Sequence, residues 1–394
     1  MKRGFTRRKV LVGAAVTAGY LALTAARRMV ETARPGASAQ ETQLTPWAYL
    51  PLVFSNYLPP KVIHVHAADA THWDFSSGWY GDHVSQDRIN AMIEQGLLEL
   101  TGAPSVAAAW TSLLPGYLPG KKIAIKVNLN NAACDDADEV IDALIHPVNA
   151  LIRSLVVAGV REDDIWVYDA KRPMPSRFYG RRQYTQARYF DNSGCADQMV
   201  TFTHVDPSLR VSFSNPALTP RWLTDLLFQA TYLINMPILK KHVLHPVTLS
   251  FKNHFGSLDN LGGSGADNPH PYITPSNSYY SPSFSPLVDI YANPNIAGKT
   301  VLTLADGLFG APSVSARPIP WQTFGDGAPN SLFFSRDAVA MDCVMCDLLR
   351  AEWGLDEAAY DYLKLAHQRG LGQFEKGEPW GGGYTRLNYI RLEL

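Results

Sequence analysis

Two groupings of lysine, histidine and amide side chains stand close together near the middle of the chain. Lys240, Lys241, His242 and His245 follow an apolar run at 232–239 that is interrupted by Asn235 and Pro237. Lys252, Asn253, His254 and Gly256 follow a second apolar segment at 247–251, read as another strand. A lysine supplies a point charge or, once desolvated, a base or an imine-forming amine. A histidine serves as a general base or a metal ligand. An amide side chain donates and accepts, which suits it to fixing a polar ligand. Polar residues gathered where apolar strands end are the usual arrangement of an α/β site.

The elements that must hold these residues can be read in order. Residues 61–67 (KVIHVHA) alternate apolar and polar as a strand does, residues 86–100 repeat with a helical period, and 122–127 (KIAIKV) is a strand. Residues 147–157 read as a helix and 164–169 (DIWVYD) as a strand. Strand, helix, strand, helix, strand is the order of a parallel sheet covered by helices. The expected fold is therefore α/β, with a mostly parallel, mixed sheet, helices on both faces and long inserted loops. Further elements are expected at 218–230 (helix), 300–306 and 331–335 (strands), 337–349 and 357–368 (helices). Asp337 is placed to cap the first of these last two helices. Residues 170–220, with Arg172, Arg177, Arg181, Arg182 and Arg188 among tyrosines, and the Gly/Pro/Ser/Asn-rich 262–298 read as insertions or lids. Residues 376–394 read as a tail.

A parallel sheet would bring Lys126, Asn128, Asp169, Lys240, His242, Lys252, Asn253 and Asp306 to the carboxyl edge of its strands. Within that set Lys126, Asn128, Lys240 and Asn253 are read as ligand-binding, and His242, Lys252 and Asp306 as catalytic, with His242 or Asp306 handling protons. The set suits a small anion, a carboxylate or a phosphate. Each residue also has a plainer role: exposed lysines after a strand, an asparagine cap, turns at Gly256 and Asp306.

No metal set is assigned. His64 and His66 share a strand face, with His72 and Asp74 nearby, yet no third ligand stands at a fixed spacing. Cys343 and Cys346 share a helix face, as buried small residues, a redox pair or half a metal site. The four cysteines are too few for a disulfide scaffold in 394 residues.

The chain begins with a basic head, Lys2, Arg3, Arg7, Arg8 and Lys9, and an apolar, alanine-rich stretch at 10–26. TRRKVL at 6–11 resembles the twin-arginine export motif, and Ala37-Ser38-Ala39 is a cleavage candidate. The expectation is a leader over 1–39, kept as an anchor in the alternative, a Pro/aromatic linker over 40–60, and export to the periplasm, cell envelope or medium. Residues 1–39 carry eight basic residues and one acid, so 27 bases then face 35 acids. A net charge of about −8 argues against nucleic acid as a partner. Membrane contact is expected only through the leader.

Six segments, in order, carry a resemblance. They are KIAIKVNL at 122–129, HPV at 146–148, NMPILKKH at 235–242, VTLSFKNHFG at 247–256, Asp306-Gly307, and DAVAMD at 337–342. Over about residues 60–370 the chain resembles the domain of unknown function 362 family, with Val127 where the family commonly has proline. The resemblance implies an α/β fold and names no reaction. Some members carry four-cysteine iron–sulfur clusters; no such cysteine run occurs here. The cofactor is left unknown. Three functions stand open: an exported enzyme acting on a small anion, a non-catalytic binder using the same cleft, and a metal or redox protein of the cell envelope.

Overall fold

The computed structural model describes residues 58–130, 132–135, 139–263 and 265–394. The leader, the linker up to residue 57, Asn131 and part of the acidic loop at 134–138 lie outside these residues. The strands are β1 Lys61–His66, β2 Lys122–Lys126, β3 Ile165–Tyr168, β4 Arg188–Asp191, β5 Gln198–Met199, β6 Arg210–Val211 and β7 Arg221–Trp222. They continue with β8 Ala230–Asn235, β9 Ile238–Lys241, β10 Val247–Thr248, β11 Thr300–Ala311, β12 Ser331–Ser335 and β13 Asn388–Glu393. Eleven of them form one sheet in the order β13-β1-β12-β11-β8-β2-β3-β4-β5, with β9 beside β11 and β10 beside β9. Within it β12 and β10 pair antiparallel with their neighbours and the remaining pairs are parallel. The fold is α/β, with a mixed, mostly parallel sheet.

Strand residues alternate between two cores. Ile123 and Ile125 of β2 join the core that holds Ile89, Met92 and Ile93, while Ala124 joins the core that holds Val344 and Leu348. Both faces are thus covered, which is why the parallel strands are apolar throughout rather than half polar. Helix Gln86–Thr101 covers the first face; Ser85 caps its start and Gly102, in the left-handed region at φ 66°, ends it. Helix Ala338–Trp353 covers the second, and the Asp337 carboxylate accepts the Ala340 N–H at its start.

Several segments differ from the sequence pattern. The apolar run at 232–239 is two strands, because Pro237 redirects the chain between β8 and β9. The strand expected at 247–251 is only Val247–Thr248; a helical turn, Ser250–Asn253, follows. Its unpaired first N–H groups, those of Ser250 and Phe251, donate to the Asp342 carboxylate at 2.9 and 3.3 Å. The helix expected at 218–230 is only Asp225–Gln229; before it Arg221–Trp222 is extended, with the Arg221 guanidinium held by Asp267 at 2.8 Å. Within 170–220, β4 and β5 extend the sheet edge, and the last residues supply β13 beside β1. The edge strands β4 and β5, of four and two residues, are too short for a clear alternation.

Candidate functional site

The carboxyl ends of β2, β3 and β8 meet around one amide. The Asn253 Nδ2 donates to the Lys126 backbone oxygen at 3.2 Å and to the Asn235 Oδ1 at 2.8 Å. Its Oδ1 accepts from the Lys126 Nζ and from the Asn128 Nδ2, both at 3.2 Å. All four hydrogen-bonding positions of this side chain are filled by protein. Asn253 therefore bridges the ends of β2 and β8, which also pair directly through their ladder.

Lys126 is equally committed. Its fully buried ammonium donates to the Val127 oxygen at 2.5 Å, to Asn253, and to the Asp169 Oδ2 at 3.0 Å. Burial pulls its pKa down, and Asp169 opposes that pull. Asp169 also accepts the N–H groups of Leu129, Lys171 and Arg172. A buried pair of this kind stands only where its remaining hydrogen-bonding positions are filled.

The helical turn Ser250–Asn253 presents Asn253 inward to this cluster and Lys252 to a cleft. Asp342, buried and also accepting the Tyr362 hydroxyl at 3.0 Å, anchors the start of the turn. Burial raises the Asp342 carboxyl to about 6, against the hydrogen bonds it receives. The 337–342 segment thus does two jobs, Asp337 capping its own helix and Asp342 the turn that carries the site.

The cleft encloses about 510 Å³, part of it open solvent. Asn128, Thr248, Lys252, Lys171, Arg172 and His270 line it, with Asp169 the only carboxylate among its described lining residues. Two buried polar atoms of this lining have no protein partner: the Asn128 Oδ1 and the Thr248 Oγ1. Buried polar atoms are ordinarily satisfied, so both are positioned for a ligand or water. The Lys252 Nζ lies 5.2 Å from the centre of the Phe255 ring.

Lys252 and His242 meet at one edge of the cleft, Nζ to Nε2 at 3.0 Å. The His242 Nδ1 accepts the Leu244 N–H at 3.0 Å and the His245 N–H at 3.4 Å. Burial, then Lys252, lowers the His242 pKa to about 2, so the ring is neutral. With Nδ1 accepting, the ring proton sits on Nε2 and points at the lysine nitrogen. Burial, with Lys240 and Arg172 adding repulsion, lowers Lys252 to about 7. Burial, Lys252 and Arg172 lower His270 to about 4.

The residues singled out in the sequence fall into three groups. Lys126, Asn128, Lys252 and Asn253 come together, His242 joins through Lys252, and of these Asn128 and Lys252 keep capacity toward the cleft. Lys240 is buried, its Nζ 3.0 Å from the Ile141 oxygen; burial lowers it to about 8. It does not line the cleft. Asp306 stands apart, its carboxylate accepting the Leu308 N–H at 3.0 Å, with burial raising it to about 6. Of the arginines in 170–220, Arg172 lines the cleft, whereas Arg177 and Arg181 lie over the Trp79 ring at 4.9 Å. Sequence reasoning passed over Thr248 and His270. Thr248 could have been found as the polar residue of an apolar strand entering the Lys252 turn. His270 lies in a long aperiodic loop and carries no such signal.

The histidines of β1 are engaged elsewhere. His64 contacts the Tyr389 hydroxyl and the Ser331 hydroxyl, each at 2.7 Å, and His66 contacts Glu393 at 2.5 Å. Among the described residues no group of three or more His, Cys, Asp or Glu could hold a metal ion. Cys343 and Cys346 are buried thiols in the helical core, raised in pKa by burial. Cys134 and Cys195 form a disulfide, with Cα atoms 5.7 Å apart. No helix among the described residues is long and apolar enough to cross a membrane.

Comparison with known proteins adds a family. The model of the family described as "Domain of unknown function (DUF362)" matches residues 123–347, which span β2, the cleft and Asp342. No curated protein matches the chain.

Proposed function

The chain belongs to the domain of unknown function family DUF362, and since that description names no reaction, we propose a function from the cleft itself: it binds, and through Lys252 transforms, a small anion that also carries a hydroxyl group. Lys171 and Arg172 at the rim supply positive charge, and the Asp169 charge is already matched by Lys126. A carboxylate or a phosphate suits that balance. The observation that carries the reading is the pair of unpartnered buried atoms, the Asn128 Oδ1 and the Thr248 Oγ1, beside Lys252. An amide oxygen accepts only, so it asks for a ligand O–H or N–H rather than for the anion itself.

The same proposal places the protein outside the cytoplasm. The paired Arg7 and Arg8 before an apolar stretch support export, and so does the Cys134–Cys195 disulfide, a bond that persists in oxidising compartments. Lysine substitution of both arginines should then leave the protein inside the cell.

Calorimetric titration with glycerate, which carries a carboxylate and two hydroxyls, tests the cleft. Saturable binding is expected, weakened roughly tenfold in Thr248→Val by the loss of one hydrogen bond. Absence of saturable binding to wild-type protein, for glycerate and for inorganic phosphate alike, would sink the reading.

A further inference from the structure

We propose that Lys252 is a nucleophilic amine that forms an imine with the carbonyl group of a small hydroxylated anion, such as a hydroxy keto acid or a sugar phosphate. The inference rests on the anion cleft proposed above and names the bond formed there.

The geometry of Lys252 and His242 carries it. The His242 Nδ1 faces two backbone N–H groups, so the neutral ring holds its proton on Nε2, 3.0 Å from the Lys252 Nζ. An ammonium there would place two donors against each other. A neutral amine accepts the Nε2–H instead, and the contact becomes a hydrogen bond. The groups facing the amine agree: His242 and His270 are neutral, Lys240 and Arg172 repel a proton, and Asp169 is occupied by Lys126. Burial adds to the same effect and brings the ammonium down to about 7. Desolvation beside another cation is the recognised way to activate a lysine. The Asn128 Oδ1 and the Thr248 Oγ1, without protein partners in the same cleft, are then placed to hold the substrate hydroxyl and the carbinolamine oxygen.

The bond changes balance without an added reagent. The Nζ lone pair attacks the carbonyl carbon, and the π pair moves to oxygen. A proton passes from the nitrogen to that oxygen, giving a carbinolamine. The C–O bond then breaks as the oxygen takes a second proton from solvent water and leaves as water, and the nitrogen lone pair forms the C=N bond. The iminium returns its N–H proton to solvent, so the net change is the loss of one water. His242 is the positioning residue, since it orients the amine and holds it unprotonated.

The test uses hydroxypyruvate, which carries the anion, the hydroxyl and the carbonyl together, and glycerate, which lacks the carbonyl. Full-length protein is incubated with hydroxypyruvate and cyanoborohydride at neutral pH, then digested and mapped by mass spectrometry. The expected result is a reduced adduct concentrated on Lys252, suppressed by excess glycerate, and absent from that site in Lys252→Arg shown to be folded by circular dichroism. His242→Phe, which cannot donate to the amine, should raise the pH at which the adduct forms half-maximally. Saturable glycerate binding without a Lys252 adduct, or adducts spread evenly over surface lysines, would overturn the imine and leave the anion cleft standing. Failure of hydroxypyruvate, glycerate and inorganic phosphate alike to bind would remove the cleft reading as well. An adduct whose pH profile is the same in His242→Phe and wild type would overturn the role given to His242.

Discussion

A side chain on Gly256 would collide with Lys126: a Cβ built there lies 2.7 Å from the Lys126 Nζ and 3.1 Å from the Asp169 Oδ1. The glycine is needed for close approach, since it lets the backbone after the site helix lie against the buried ion pair. Its own oxygen accepts the Ala170 N–H at 2.8 Å, which draws the segment after β3 to the same place.

Gly256→Ala is therefore expected to destabilise the protein by about 1–3 kcal/mol, the usual effect of overpacking a filled interior. Lys126 has no free direction, because all its donors are used. Urea unfolding of the variant against wild type measures this. Equal midpoints would mean that the ion pair yields without resistance.

The Cys134–Cys195 bond closes the chain across 61 residues, joining the segment after β2 to the segment after β4. By the chain-entropy account, a loop of that length contributes about 4 kcal/mol. The double variant Cys134→Ser/Cys195→Ser should lose stability of that order in thermal melts, and wild type in dithiothreitol should melt like it. Alkylation of native, unreduced protein should spare both residues. Ready alkylation of Cys134 without reductant would show that the bond is not formed.

The Lys252 ammonium, lowered to about 7 by burial and by Lys240 and Arg172, titrates near 10.4 once unfolded (roughly, as a free lysine does). Between these values the unfolded chain holds a proton that the folded protein has released. Stability from this group therefore rises with pH across that window and is flat below about 7, where both states are protonated. Lys252→Met removes the titration while keeping the length of the side chain. The stability of wild type minus that of the variant should climb between about pH 7 and 10. Lys240, lowered to about 8, slopes the same way in both proteins and enters the difference only through its repulsion of Lys252. A difference that stays level with pH would return Lys252 to an ordinary lysine.

Much of the scaffold is legible without coordinates, because the period of hydrophobicity is a local property. The strand Lys122–Lys126 and the capped helix Ala338–Trp353 follow from it, as does the gathering of polar residues at strand ends. What local pattern cannot carry is partnership. Lys126 and Asn253 lie 127 residues apart and satisfy each other, so two residues read as ligand-binding have every donor engaged within the protein. The same separation problem hides Asp342, which holds the N–H of Ser250 from 92 residues away and turns an apolar segment into a helical turn rather than a strand.

By itself the amino-acid order determined the α/β class, the covering of both sheet faces and the concentration of lysine, histidine and amide groups where strands end. Only the tertiary structure decided which of those groups face one another and which face the cleft. A hydrogen bond depends on distance in space between residues far apart in the chain, and burial with repulsion from Lys240 and Arg172 lowers Lys252 to about 7, whereas at buried Lys126 the Asp169 carboxylate opposes the same pull.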